Sequence, residues 1–208
     1  MNYLAHLYLS GESENSILGN LIADFVKGPL LNQYNPEILD AIKIHRKIDH
    51  YTDTHTIVRD SRYIFTKSRR RYAGIILDLA FDHFLSVNWS KYSNDSLDAS
   101  IDNAYNILEN NFNVLPQRLQ SLLPKIIEED WFGSYREVDG LALSIDRIAN
   151  RFSRKFENRE IGLFGSIDEV KDNYKALEKN FKQFFPDIIK YVDSLIHSLI
   201  PAECASAC

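Results

Sequence analysis

Within the stretch His45-Arg46-Lys47-Ile48-Asp49-His50-Tyr51-Thr52-Asp53-Thr54-His55 stand three of the chain's six histidines, together with two aspartates. Imidazoles and carboxylates at this density suit a divalent metal site or acid–base chemistry. His45 and Asp49 are four residues apart, so on a helix they share one face. That face begins apolar with Ile38, Ala41 and Ile42 and continues through His45, Ile48, Asp49 and Thr52. A buried imidazole and a buried carboxylate one turn apart must pair with each other or hold an ion. The spacing allows both a His–Asp hydrogen bond that locks the helix into the core and a pair of metal ligands.

Further acidic groups interrupt apolar helical faces. Asp24 follows Ile17 and Leu21 at helical spacing, which puts it on the apolar side of that segment. Asp78, Asp82 and His83 interrupt the run from Ala73 to Leu85, which is apolar nearly all round. Separate buried faces that each carry carboxylates suggest one shared centre, because each carboxylate needs a counter-charge. Asp24, His45, Asp49, Asp78, Asp82 and His83 are therefore the candidate metal ligands. Carboxylates and imidazoles without thiolates suit manganese, magnesium, iron or zinc, and such an ion activates water and clamps phosphoryl oxygens. A metal-free network of the same groups with nearby arginines is the alternative.

Asp24, His45 and Asp49, with Asp53 and His55 at the helix end, are the candidate catalytic groups. Asp53 is equally accounted for as the N-cap of the next helix. His6 lies in the apolar run Leu4-Ala5-His6-Leu7-Tyr8-Leu9 and reads as a hydrogen-bonded core histidine; His50 reads as a surface residue, and His197 has no assigned role. Arg59, Arg62, Lys67, Arg69, Arg70 and Arg71 follow in a span whose only acid is Asp60. Such a run is commonly a solvated face, yet beside a phosphate site it suits an acidic protein or a phosphate group. Arg46, Arg59, Arg62, Arg69, Arg70 and Arg71 are accordingly the candidate substrate-binding residues.

The elements that must position these groups are helices. Glycine and proline are scarce, strict alternation is hard to find, and apolar residues recur at intervals of three and four along the whole chain. Asn35-Pro36 opens the helix that carries His45 and Asp49, and a further helix is expected from about Thr54 to Ser68. Asp95-Ser96 caps another. Leu119–Ile127, kinked or split at Pro124, and Val138–Phe152 add two more, and a pair joined or bent at Pro186 follows. Residues 158–166 read as a loop. The class is all-α, a single-domain helical bundle over residues 1–201, with 202–208 as a disordered tail that holds both cysteines, Cys204 and Cys208. A net charge of −5 argues against nucleic acid as a partner. The opening residues show no signal-peptide pattern and no apolar run reaches spanning length, so a cytoplasmic location away from membranes is expected.

Several stretches, taken in order, resemble the acyl carrier protein phosphodiesterase family. They are Met1 to Leu7, Leu18 to Gly28, His45 to His55, Arg70 to Ile75 and Asp78 to Leu85. The likeness is firm over the first part of the chain and continues in helical character and in Leu141 to Phe152. It implies an all-helical fold related to the HD phosphohydrolases, with Mn2+ as the usual activating ion and Mg2+ or Fe2+ as substitutes. The implied reaction removes 4′-phosphopantetheine from holo acyl carrier protein, which is thereby the expected partner. Tyr3, Tyr8 and Tyr51 depart from the family pattern, and the adjacent His-Asp pair stands here reversed as Asp82-His83. A related phosphohydrolase acting on a nucleotide or other small phosphoester, and a non-catalytic helical module for an acidic protein, are the competing readings.

Overall fold

Asn35 is extended, at φ −68° and ψ 163°, and its side-chain oxygen accepts the backbone N–H of Ile38 at 2.9 Å, with Pro36 in the first turn. In the computed structural model, which describes residues 1–155 and 162–199, this cap opens a long helix over Pro36–Thr54. Before it come α1 (Tyr3–Leu9) and α2 (Glu14–Ile22), so the long helix is α3. After it follow α4 (Thr56–Ser61), α5 (Ala73–Val87), α6 (Leu97–Asn110), α7 (Gln117–Glu128), α8 (Val138–Lys155), α9 (Ser166–Asp172) and α10 (Tyr174–Leu199). No strand occurs among the described residues, so the class is all-α. Among them no helix is long and apolar enough to cross a membrane.

The centre of the core is α5. Ile76, Leu77, Leu79, Ala80, Phe81, Phe84 and Leu85 are buried around its whole circumference. The helices α1, α8 and α10 pack around it. Phe81 and Phe84 meet Phe181 and Phe184 of α10 in edge-on and tilted contacts, the geometries favoured by aromatic quadrupoles. On the other side α2 lies against α3 at Gly19. A Cβ at that glycine would stand 2.5 Å from the Ala41 Cβ and 2.7 Å from the Ile38 carbonyl oxygen.

The elements differ from the sequence expectation at four places. α2 ends at Ile22 and tightens into a 3-10 turn over Ala23–Phe25. The step per residue rises from about 100° to about 120°, which swings Asp24 off the apolar face it was expected to share; its side chain is 69% exposed. The helix expected to reach Ser68 stops at Ser61, because the backbone N–H and hydroxyl of Thr66 donate to Glu169 of α9 at 2.9 and 2.8 Å. α10 continues as one helix through Pro186, so the join between two helices falls earlier, between α9 and α10 at Asn173. α7 likewise contains Pro124 without splitting. Of the expected loop, residues 158–161 lie outside the described residues, as do the tail and its Cys204 and Cys208.

The Gly19 contact sets the spacing of α2 and α3. Gly19→Ala is expected to cost about 1–3 kcal/mol of stability in chemical denaturation, as overpacking does. Adding Ala41→Gly should recover part of that loss but not all, since the Ile38 carbonyl oxygen remains in the way.

Candidate metal centre and active site

The histidine that completes the site comes from α1. His6, 3% exposed, lies face to face with His45 of α3, ring centroids 3.7 Å apart and planes 17° from parallel. Each ring aims its Nε2 at a different oxygen of Asp49: His6 at Oδ1, 3.1 Å away, and His45 at Oδ2, 3.2 Å away. The three ligand atoms lie within 4.8 Å of one another. Asp24 Oδ1 stands 3.6 Å from the same His45 Nε2. At the other edge the Met1 α-ammonium sits 3.1 Å from Asp78 and 3.6 Å from Asp49.

The charge states follow from this crowding. Burial, seconded by the neighbouring His45, pushes His6 down to about 4. Burial works the same way on His45, but its contacts with Asp24 and Asp49 outweigh it and raise the imidazole. Burial would raise Asp49 as well; the two imidazoles and the Met1 α-ammonium hold it well below the ordinary carboxylate range instead. Contact with His45 likewise lowers Asp24, while burial raises Asp78 against the pull of the α-ammonium.

The donor set fits a divalent ion. Neither nitrogen of His45 has a hydrogen-bonding partner of good geometry, nor does Nδ1 of His6, although all three atoms are buried. Lone pairs left over in a core are costly unless something accepts them. Two imidazoles and a carboxylate, with a further carboxylate exposed beside them, are borderline-to-hard ligands of the kind that suit manganese or iron. Packing of the two rings, rather than a hydrogen bond to Nδ1, fixes their orientation.

Comparison with known proteins agrees with this geometry. A sequence model described as acyl carrier protein phosphodiesterase matches residues 1–188. The chain belongs to that family. Proteins named acyl carrier protein phosphodiesterase from Yersinia enterocolitica and Serratia proteamaculans are 38% and 37% identical to it, over 89% and 91% of this chain and 94% and 96% of theirs. One of the same name from Photorhabdus laumondii is 35% identical over 93% of this chain and 96% of its own. No solved structure matches significantly.

In this member of the acyl carrier protein phosphodiesterase family the candidate ligands divide. His45 and Asp49 come together with His6, Asp24 reaches His45, and Asp78 meets the Met1 α-ammonium at the edge, whereas Asp82 and His83 go elsewhere. Asp82 is fully buried and accepts the backbone N–H groups of Leu4 at 2.8 Å and Ala5 at 3.2 Å. It thereby caps α1, whose own N-cap residue, Asn2, makes no side-chain capping bond. His83 points to the other side of α5, to the Tyr135 carbonyl at 2.8 Å and the Tyr174 hydroxyl at 2.9 Å. Asp53 does not cap α4; it pairs with Arg62 at 2.7 Å. His55 lies between α3 and α4, 3.6 Å from Asp187 and edge-on to Phe184. His50 and His197 are exposed.

The arginine run is less free than its sequence suggests. Arg69 is bound to Glu169 at 2.6 Å and to the carbonyls of Gly162 and Phe164. Arg70 donates to the Phe65 carbonyl and lies over Tyr63, Arg71 lies over Tyr72, and Arg46 donates to the Val26 carbonyl. Arg59 is exposed, and Arg62 reaches Asp53. Sequence reasoning also missed a cavity of about 870 Å³ that opens beside Asp24 and is walled by α7 and α8.

If the cluster holds a divalent ion, both imidazoles are needed for it. His6→Ala and His45→Ala should then each weaken uptake of an added divalent ion more than about tenfold in equilibrium dialysis, whereas His83→Ala should leave it unchanged. Asp82→Ala leaves two buried N–H groups unpaired and should cost about 2–4 kcal/mol in urea denaturation. The Asp82 carboxyl is pushed up by burial, against the two N–H bonds, to about 7. Between the unfolded value of about 4 and that value the folded protein holds the extra proton, so its stability falls as pH rises through this window. Asp82→Asn should abolish that slope relative to wild type.

Proposed function

We propose that the protein is a metal-dependent phosphodiesterase. It hydrolyses the bond between 4′-phosphopantetheine and the serine of holo acyl carrier protein, giving apo carrier and free 4′-phosphopantetheine. The observation that carries this reading is the convergence of two buried imidazoles on both oxygens of Asp49, in a chain whose relatives bear the name acyl carrier protein phosphodiesterase. His6, His45 and Asp49 hold the ion, with Asp24 beside them; manganese is the ion we assign, with magnesium or iron as substitutes. When bound, such an ion lowers the pKa of water and stabilises charge on phosphoryl oxygens.

The chain's own groups do the rest. Water oxygen bonds to phosphorus as the bond from phosphorus to the serine Oγ breaks, and the leaving oxygen takes up a proton. Asp78, raised by burial and set at the edge of the cluster, is the group we assign to accept the proton of the attacking water. The reading implies a cytoplasmic enzyme acting on a protein substrate.

Incubation with holo acyl carrier protein and Mn2+, followed by mass measurement of the carrier, tests it. The carrier is expected to lose the phosphopantetheine mass, a chelator should prevent that loss, and Asp49→Ala should abolish it. A carrier of unchanged mass would overturn the reading. Turnover of a nucleotide in its place would favour a small-molecule phosphohydrolase, and carrier binding without cleavage or metal dependence a binding module.

A further inference from the structure

The cavity beside Asp24 is charged in a way the whole chain is not. In a protein of net charge −5, four cations, Arg118, Arg147, Arg151 and Lys155, line one cavity with Asp24 as the single carboxylate among the described residues. Arg147 is already engaged, 3.1 Å from Glu129 and over the Trp131 ring. Arg118 and Arg151 form no ion pair among the described residues, and the Arg118 guanidinium rests over the Phe25 ring, 5.7 Å from its centre. Phe25 directly follows Asp24, so Arg118 stands on the side of the cavity where Asp24 reaches His45. Leu122 and Ile148 give the cavity an apolar side.

We propose that Arg118 and Arg151 bind the phosphate of the 4′-phosphopantetheine arm on the Asp24 side of this cavity while the pantetheine chain lies along the apolar residues Leu122 and Ile148. The inference rests on the proposed hydrolysis and assigns residues to the arm. Guanidinium groups suit a phosphate because their planar donors match its oxygens, and two that line one cavity without an ion pair among the described residues leave donors for an anion. A cavity of about 870 Å³ is in the size range of small-molecule sites and takes a flexible amide chain. The candidate ligands His6, His45 and Asp49 come from α1 and α3, whereas Arg118 and Arg151 come from α7 and α8.

Equilibrium binding tests this without turnover. Free 4′-phosphopantetheine, pantetheine without the phosphate, and apo carrier protein are titrated into the manganese-loaded protein and into the Arg118→Glu/Arg151→Glu double variant. Manganese uptake and melting temperature serve as controls for folding. Wild type is expected to bind 4′-phosphopantetheine at least tenfold more tightly than pantetheine; the double variant should lose that preference and bind pantetheine as before. Arg118→Lys/Arg151→Lys should fall between the two. Wild type that shows no preference for the phosphate, or a double variant that keeps it, overturns the proposal. A variant that loses only apo carrier also overturns it, because the arginines then meet the carrier's surface. Cleavage of holo carrier is measured separately. If it proceeds with unchanged KM in the double variant, the arm assignment fails and the hydrolysis stands. If wild type binds the arm as expected but cleaves nothing, the hydrolysis fails and the arm site stands.

Discussion

A carboxylate without solvent holds the active region together. Asp82 sits at the middle of α5, the most buried helix, and takes two backbone N–H groups from the first turn of α1. A helix of seven residues has little stability of its own, since nucleation is costly and four N–H groups are orphaned at its start. With that end fixed on α5, α1 presents His6 to α3 one turn later. The stacked imidazoles and the bridging role of Asp49 all follow from where α1 begins. An apolar residue at position 82 would fill the space, but it would leave α1 without its anchor.

The same carboxylate shows how far a sequence can be read. α3 was legible in full because its signals are local: Asn35 caps it, Pro36 starts it, and the spacing of Ile38, Ala41, Ile42, His45 and Asp49 defines one face. α5 was legible as a buried helix, yet its uniform apolarity erased any sign of which side Asp82 and His83 face. They were grouped as ligands, whereas one turns to α1 and the other to Tyr135 and Tyr174. His6 was hidden for the opposite reason. In a run of apolar neighbours an imidazole reads as a core residue, and nothing near it in sequence announces His45 or Asp49. Asp24 was read on the right element but the wrong side, because a switch from α to 3-10 geometry leaves no mark in spacing. The family resemblance identified the chemistry that these local signals left open.

Charge is distributed against the average of the chain. The arginine run after α3 draws attention by its density, yet Arg69 is consumed by Glu169 and two carbonyls, and Arg62 by Asp53. Its role is largely to fasten the segment between α4 and α5 to α9. The cations of α7 and α8, spaced along two helices and unremarkable in sequence, share a cavity once folded. Proximity in the chain is a poor guide to electrostatic potential when the surface is built from helices far apart in sequence.

The separation of the two halves of the site has its own consequence. The candidate ligands His6, Asp24, His45 and Asp49 all belong to the first three helices and the turn between them, and their spacing is fixed by the Gly19 contact and the Asp82 anchor. Most of the cavity wall comes from α7 and α8, which supply none of those candidate ligands. Lineages of such a chain are therefore free to drift in what they accept while the inorganic centre stays constant. Breadth of substrate across relatives should be recorded in α7 and α8, and loss of catalysis in α1 and α3.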